Sequence, residues 1–114
     1  DFLSRWVRDR KLMSIEAGIH KVTGEIAHVA GLKDRGVLRE GAPADIVVLD
    51  WDSLSPGPER RAYDFPANGE HLTADSPGGI DHVLVAGVPI RRNGQSVIDQ
   101  LDLLPGQVLR SRAG

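Results

Sequence analysis

Cysteine is absent from this 114-residue sequence. That absence excludes disulfide bonds, thiolate catalysis and zinc sites built on cysteine. The sequence also has no stretch of about 18 apolar residues and no apolar leader, so it predicts neither a membrane-spanning helix nor a signal peptide. Because nothing in it indicates secretion, we expect a cytoplasmic protein.

The sequence also has little excess charge of either sign. The formal net charge is -2, and the basic residues are scattered, with pairs such as Arg60-Arg61 and Arg91-Arg92 beside acidic or apolar neighbours. Proteins that bind nucleic acid or an anionic membrane usually concentrate their basic residues on one surface. We therefore expect neither nucleic acid nor a membrane as a partner.

What is present is the composition of a folded globular protein, with 40% apolar and 26% charged residues. The length allows one ordinary domain, but it is too short for a complete TIM barrel of about 250 residues. The sequence begins with Asp1 rather than methionine. We therefore expect a single domain or one piece of a longer protein.

The first 33 residues have helical periodicity. Phe2, Leu3, Trp6 and Val7 are spaced to share one face of a first amphipathic helix. Ser14 is placed to cap a second helix over residues 15–22. A third helix is predicted over residues 24–30, with Thr23 as its cap and Gly31 in a left-handed position at its end.

The pattern changes to that of a β-domain over residues 34–114. The apolar run 46–49 predicts a buried strand. Residues 52–80 are rich in proline and glycine and have little periodicity, so we expect an irregular segment with one short strand near residues 63–65. The sequence thus predicts an α+β fold, with short helices before an antiparallel β-domain.

A meander of three short strands is predicted near the end of the β-domain. The pairs Ala86-Gly87 and Asn93-Gly94 are typical of two-residue hairpin turns, because these residue types tolerate positive φ. Pro89 cannot donate a backbone hydrogen bond, so it should lie at a sheet edge or a bulge. The predicted strands are residues 82–85, 88–91 and 95–98.

The four histidines do not have the spacing of a metal site. His20, His28, His71 and His82 form no H-x-H, H-x3-H or H-E-x-x-H pattern. Glu16 and His20 are one helical turn apart, which favours a surface pair over a two-ligand patch. We expect His71 to lie in a loop and His82 to be an edge residue at a strand start.

No nucleophile motif such as G-x-S-x-G is present. The run Ser76-Pro77-Gly78-Gly79 lacks the strand and helix that flank a phosphate-binding loop, so a turn is expected. Asp50 and Asp52 follow a predicted strand and should bond turn amides. The charges at 33–35 and 39–40 predict an exposed hairpin with weak ion pairs. We assign no catalytic, cofactor-binding or metal-binding residue.

Several segments together resemble one family. Residues 32–50 resemble the G-L-x-D-R-G-x-[LI]-x-x-G-x-x-A-D-[LIV]-V-V-[FL]-D stretch of metal-dependent amidohydrolases. Residues 79–90 resemble their G-I-x-x-V-x-V-N-G-x-x-[IV] hairpin, with Ala86 in place of the usual asparagine. Residues 64–67 and 105–110 resemble the D-[FL]-P-A and P-G-x-x-L-R segments of the N-acyl-D-amino-acid deacylase branch.

This resemblance implies a parent enzyme with a zinc-containing TIM barrel and a small β-sandwich built from both chain ends. Residues 1–33 would be the last barrel helices, and residues 34–114 the C-terminal share of the sandwich. The family's metal ligands and catalytic aspartate lie upstream of anything that matches Asp1, so this chain would hold no zinc itself. Gly41 would permit a tight turn, and Asp45 would bond turn amides before a strand.

Two functions are compatible with these features. The first is the C-terminal fragment of an amidohydrolase that deacylates N-acyl-D-amino acids, inactive by itself because it lacks the active site. The second is a free-standing β-domain used for binding or assembly. For the fragment, we expect an apolar helix face and an unpaired strand edge, covered by the rest of the parent chain or by self-association.

Overall fold

The structure, a computed structural model, describes residues 1–110 and has an α+β architecture. Its helices come first: a π-helix, Phe2–Asp9, then α1, Ile15–Val22, and α2, Gly24–Val29. Strands follow: β1 (Ile46–Leu49), β2 (Glu59–Phe65), β3 (Gly69–Ala74), β4 (Ile80–Val85), β5 (Val88–Arg92) and β6 (Gln95–Ser96). Two 3₁₀ turns are Pro66–Asn68 and Ile98–Gln100.

The ends of the α-helices have local chemical causes. The Ser14 hydroxyl accepts a hydrogen bond from Ala17 N at 3.2 Å and caps α1, as predicted. Gly31 has a φ of +71°, and Leu32 N donates back to Ala27 O at 2.8 Å. These are the left-handed residue and the return bond of a Schellman motif, so the predicted end of α2 is also confirmed.

Thr23 occupies the N-cap position of α2, as predicted, but it makes no side-chain cap there. Thr23 Oγ1 donates instead to Ile19 O at 2.7 Å, one turn back along α1, and caps no amide of α2. A threonine hydroxyl can bond the carbonyl four residues earlier whenever a helical turn precedes it. Because α1 ends immediately before Thr23, that local bond is available and is made.

The π-helix packs on α1 through one close contact. Val7 is only 3% exposed. A Cβ added to Gly18 of α1 would approach Val7 Cγ2 to 2.8 Å, so the absence of a side chain at Gly18 lets the two helices meet. Trp6 is 41% exposed, with the Arg10 guanidinium 4.7 Å from the centre of its ring. Part of the first helix's apolar face is therefore covered within this chain.

The main sheet is antiparallel, with strand order β1-β4-β5-β6. β4 and β5 are joined through Ala86 and Gly87, which have φ of +49° and +80°, and β5 and β6 through Asn93 and Gly94, at +47° and +76°. Both predicted two-residue turns are confirmed, since two successive positive φ values are those of a type I′ turn. β6 has two residues where four were expected.

β4 is an inner strand of this sheet. His82 pairs with Val48 of β1, and β5 lies on the other side of β4, so the prediction of an edge position for His82 is wrong. The register of β4 with β5 shifts between Val83 and Leu84, and Pro89 lies opposite Leu84 at that irregularity. The prediction that Pro89 lies at a bulge is confirmed.

The expectation of an irregular segment over residues 52–80 is largely wrong, because β2 and β3 form a two-stranded hairpin there. The prolines lie outside both strands, where they interrupt no backbone pairing. A register shift between Ala62 and Phe65 disturbs the two-residue alternation of β2. That shift, with polar residues on both faces, removes the periodicity by which a strand is recognised.

The hairpin continues outward from the pairing of β1 with β4. Asp50 N donates to Gly79 O at 2.9 Å, and Ser55 and Gly78 then exchange backbone bonds at 3.2 and 3.1 Å. We call this Ser55–Gly78 bridge the neck, and residues 56–77 beyond it the arm. At the neck, a Cβ on Gly78 would lie 2.6 Å from Ser55 Oγ, so glycine allows the two segments to touch.

Very little of the chain is buried. In the described part, the apolar residues below a tenth exposure are Val7, Ala27, Leu54 and Ala62, and no large side chain is fully buried. The radius of gyration is 16.2 Å. A compact domain of this length would have about 13 Å. The chain is thus more open than an independent domain of its size.

Candidate functional site

The histidines are dispersed over the structure. His20 lies on α1 and His28 on α2, both exposed, whereas His71 lies on β3 and His82 on β4. Within residues 1–110, no group of three or more histidine, aspartate or glutamate side chains is arranged to hold a metal ion. Glu16 and His20 are both exposed on α1, and no hydrogen bond between them is found in that range.

His71 is on a strand rather than in the predicted loop, and it has two partners. Its Nε2 lies 2.5 Å from Asp64 Oδ1, and its ring stacks on Phe65 with the ring centres 4.2 Å apart. Both partners lie on β2, at the register shift after which Phe65 pairs with Gly69 of β3. The contacts hold the irregular end of the arm together, which is a structural role for His71.

The amidohydrolase-like segment 32–50 is organised around one carboxylate, which ties three parts of the chain together. Asp45 Oδ1 accepts a hydrogen bond from Ala86 N at 2.8 Å, and Asp45 Oδ2 lies 3.0 Å from Arg35 Nε. Arg35 Nη1 lies 3.1 Å from Asp34 Oδ2. We call Arg35, Asp45 and Ala86 the junction, because they link the loop before β1 to the β4–β5 turn.

The junction corrects one expectation and confirms another. The predicted exposed hairpin at 33–40 does not form, and the Arg35 side chain is only 18% exposed. Asp45 does bond a turn amide, as predicted, although the amide belongs to the β4–β5 turn. Gly41 has a φ of +78°, which confirms its expected role in a tight turn.

Gly36 brings the helices against the same loop. Its φ is +80°, and a Cβ at this position would lie 2.7 Å from Thr23 O and 2.8 Å from Ala27 Cβ. A side chain would therefore force the loop away from α2. Arg35, Gly36 and Asp45 of the family-like motif thus serve packing and bonding between separate parts of the chain.

A second link joins the π-helix to the segment after β1. Arg8 Nη1 donates to the carbonyl oxygens of Trp51, Asp52 and Leu54, at 2.9, 3.1 and 2.6 Å. A side-chain hydrogen bond with Asp9 raises the pKa of Arg8 and lowers that of the Asp9 carboxyl. The sequence contains no signal for this long-range link, because arginine in an amphipathic helix is ordinarily exposed.

Asp50 stabilises the turn that Arg8 contacts. Its Oδ2 accepts from Ser53 Oγ at 2.6 Å, and its Oδ1 accepts from Asp52 N at 3.1 Å. The bond from the Ser53 hydroxyl, followed by that from the Ser53 amide, lowers the pKa of Asp50. The prediction that an aspartate here bonds turn amides is confirmed for Asp50, whereas Asp52 contributes its own amide.

An open apolar cleft lies between the helices and the main sheet. Its volume is about 550 Å³, and one of its walls is β1, which has a neighbour on one side only among the strands of residues 1–110. The cleft carries one carboxylate, Asp45, on an otherwise apolar or uncharged lining, so it offers little to bind a charged substrate. Its principal lining residues are Leu3, Ile19, Val22, Ile46, Leu49 and Ile80.

None of the helices in residues 1–110 has the length and apolar content that crossing a bilayer requires. The longest have eight residues.

Comparison with known proteins covers most of the chain. The Amidohydro_3 model, described as an amidohydrolase family, matches residues 2–91. The chain is 38% identical over 113 residues to an N-acyl-D-glutamate deacylase, 34% identical over 88 residues to a D-aminoacylase, and 48% identical over 48 residues to an N-acyl-D-aspartate deacylase, all from Alcaligenes xylosoxydans xylosoxydans. These matches cover 97%, 77% and 42% of this chain, respectively.

The same matches cover only 20%, 16% and 10% of those relatives. The chain therefore spans about a fifth of the length of the N-acyl-D-glutamate deacylase, and a smaller share of the other two. No solved structure matches. The family match extends over more than half of the chain and includes the junction, Gly36 and Arg8. This chain belongs to the amidohydrolase family.

Proposed function

We propose that this chain is the C-terminal part of a deacylase that hydrolyses the acyl amide of an N-acyl-D-amino acid, in the cytoplasm. Hydrolase chemistry follows from the family, and the two longer matches are with a D-glutamate deacylase and a D-aminoacylase. Within the parent, the proposed role of the chain is structural. It supplies the last helices of a TIM barrel and part of a composite β-sandwich.

The observation that carries this proposal is the apolar cleft beside β1. A cleft of about 550 Å³ with apolar walls is costly to leave in water, at about 25 cal/mol for each Å² of apolar surface. β1 also presents one unpaired edge in the described sheet, where a further strand can bond. The proposed occupant is the rest of the parent polypeptide, which would complete the sandwich and cover the cleft.

The residues described here do not fit a zinc ion. A hydrolytic zinc site needs about three protein ligands that converge on the metal. No such group occurs in residues 1–110, and the closest carboxylate–imidazole pair, Asp64 with His71, has no third ligand beside it. We therefore derive no catalytic step from this chain and assign the zinc and its chemistry to the rest of the parent.

The test is an assay of the parent polypeptide, expressed from the complete reading frame. We expect zinc-dependent release of the acyl group from N-acetyl-D-glutamate, N-acetyl-D-aspartate or N-acetyl-D-leucine, little from the L-enantiomers, and loss of activity with a chelator. An Asp45→Asn parent should yield less folded enzyme but unchanged kcat for each folded molecule. Inactivity of a folded, zinc-loaded parent on all three substrates would reject the proposed function.

A free-standing domain is the second candidate, and two contacts favour it. Val7 is buried against Gly18, which joins the first two helices, and Arg8 bonds three carbonyls beyond β1, which attaches the helical segment to the chain that follows that strand. A native protein whose intact mass equals that of this chain would support this candidate. A mass several times larger would support the deacylase.

A further inference from the structure

The arm, residues 56–77, stands apart from the main sheet. Both of its strands pair only with each other in the described chain, so the two long edges of the hairpin are unpaired. With about 3.3 Å per residue, seven-residue β2 extends roughly 23 Å. A hairpin of two strands is marginally stable by itself and normally needs a surface to pack on.

The exposed side chains of the arm indicate what kind of surface this is. Tyr63 on β2 and Leu72 on β3 are 53% and 66% exposed. Exposed aromatic and aliphatic residues on one short element are typical of protein contact surfaces. Tyr63 and Leu72 therefore present apolar area that is unused within this chain, whereas Phe65 stacks on His71.

Most of the charged side chains of the arm have partners within it. Arg60 Nε lies 2.7 Å from Asp75 Oδ1, and Arg61 is paired with Glu70. Asp64 is bonded to His71, as described above. Local neutralisation of these charges leaves little to recognise a nucleic acid or another strongly charged ligand, and it favours an apolar protein surface.

The base of the arm is close to the helical segment. The neck follows Leu54, whose carbonyl oxygen accepts one of the three hydrogen bonds from Arg8 of the π-helix. Protein that precedes the π-helix would therefore be tethered to the base of the arm through one helix of eight residues. A tethered surface of this kind meets the arm at a high effective concentration, which exceeds that of a second molecule in dilute solution.

We infer that the arm docks, through Tyr63 and Leu72, on an apolar surface of the upstream part of its own parent polypeptide. The inference rests on the proposed function only in taking this chain as part of a longer one, consistent with its 20% coverage of the glutamate deacylase. It does not depend on the substrate or on the metal. Docking would add an interdomain contact separate from the cleft beside β1.

Hydrogen exchange of the parent polypeptide tests this contact. Amides of residues 59–74 should exchange at least roughly tenfold more slowly in the parent than in its Tyr63→Glu/Leu72→Glu variant. This protection should persist over a roughly hundredfold dilution, because the docking is intramolecular. As a control, Leu103→Glu replaces a leucine outside the arm that is 85% exposed, and it should leave the exchange of residues 59–74 unchanged.

Two outcomes would overturn the inference. Fast exchange of residues 59–74 in the parent itself would show that the arm is free, and protection that disappears on dilution would show that a second copy is the occupant. The deacylase assay is an independent measurement. Arm protection in an inactive parent would reject the proposed function alone, and an unprotected arm in an active deacylase would reject this inference alone.

Discussion

The ion pairs of the junction and those of the arm differ in burial and in the parts of the chain that they connect. At the junction, Asp45 joins Arg35 to Ala86, which lies 41 residues further along the chain, and the Arg35 side chain is largely buried. On the arm, Arg60–Asp75 and Arg61–Glu70 are cross-strand pairs with well-exposed side chains. Similar ion pairs are therefore expected to contribute differently to stability, because burial and long-range connection decide their effect.

The largest expected effect on the junction side comes from Gly36. In Gly36→Ala the new Cβ meets Thr23 O and also occupies a left-handed conformation, so we expect a loss of roughly 2–4 kcal/mol in unfolding free energy. Gly41→Ala is the matched control, with nearly the same φ and no atom within 4 Å of the Cβ. It should lose only about 1 kcal/mol. Urea titration of both variants measures the difference, and equal losses would remove the close-contact explanation.

Asp45→Ala should cause the next largest loss in unfolding free energy. It leaves Ala86 N without its acceptor and Arg35 with Asp34 as its remaining partner, at a cost of roughly 1–3 kcal/mol, toward the lower end because the Asp45 side chain is 38% exposed. Asp75→Ala removes the exposed partner of Arg60 on the arm and should cost within about 0.5 kcal/mol. Thermal unfolding of the two variants compares the regions directly. A loss for Asp75→Ala as large as that for Asp45→Ala would contradict the distinction between them.

A gain in stability is expected from one substitution in the β4–β5 turn. Ala86 has a φ of +49°, a conformation that asparagine tolerates better than alanine. Ala86→Asn should therefore stabilise the protein by about 0.5–1 kcal/mol, while the bond from the backbone amide to Asp45 is retained. Asn93→Ala, in the equivalent turn between β5 and β6, should lose a similar amount. Opposite signs for the two substitutions in calorimetry would confirm this, and a destabilised Ala86→Asn would disprove it.

The smallest expected effect is on the thermal stability of the protein at acid pH. The pKa of Asp50 is lowered from 3.8 by the Ser53 hydroxyl and amide, so the folded state favours the ionised carboxyl. The resulting stability is present above the unfolded-state pKa and is lost as the pH falls through the lower folded-state value. We expect Asp50→Asn to flatten the decline in thermal midpoint below about pH 4, because it removes the titration. An unchanged acid profile would indicate that other carboxyls determine it.

Local signals in the sequence predicted much of the fold. The Ser14 cap, the Gly31 helix end, the β1 run and both two-residue turns depend on neighbouring residues, and sequence shows such neighbours directly. The arm was missed because its register shift disrupts the alternation of β2. The carbonyls bonded by Arg8 lie more than 40 residues away, and nothing near Arg8 in the sequence predicts them.

For the candidate site, the family motif identified the segment but not its bonds. The pattern around Arg35 and Asp45 predicted a turn before a strand, which is correct. The sequence could not show that Asp45 reaches the β4–β5 turn, because that contact depends on how β1 pairs with β4. His71 had no local interpretation, since both of its partners lie on the opposite strand.

The neck has an evolutionary consequence. Because Ser55 and Gly78 are already bonded to each other, the backbone pairing that extends from β1 and β4 is complete before the arm begins. Insertions and deletions between these two positions can therefore alter the arm while the β1–β4 pairing stays intact. Replacing residues 56–77 by a short turn should leave the sheet in register, which makes this hairpin a separable module whose length can diverge independently of the rest of the chain.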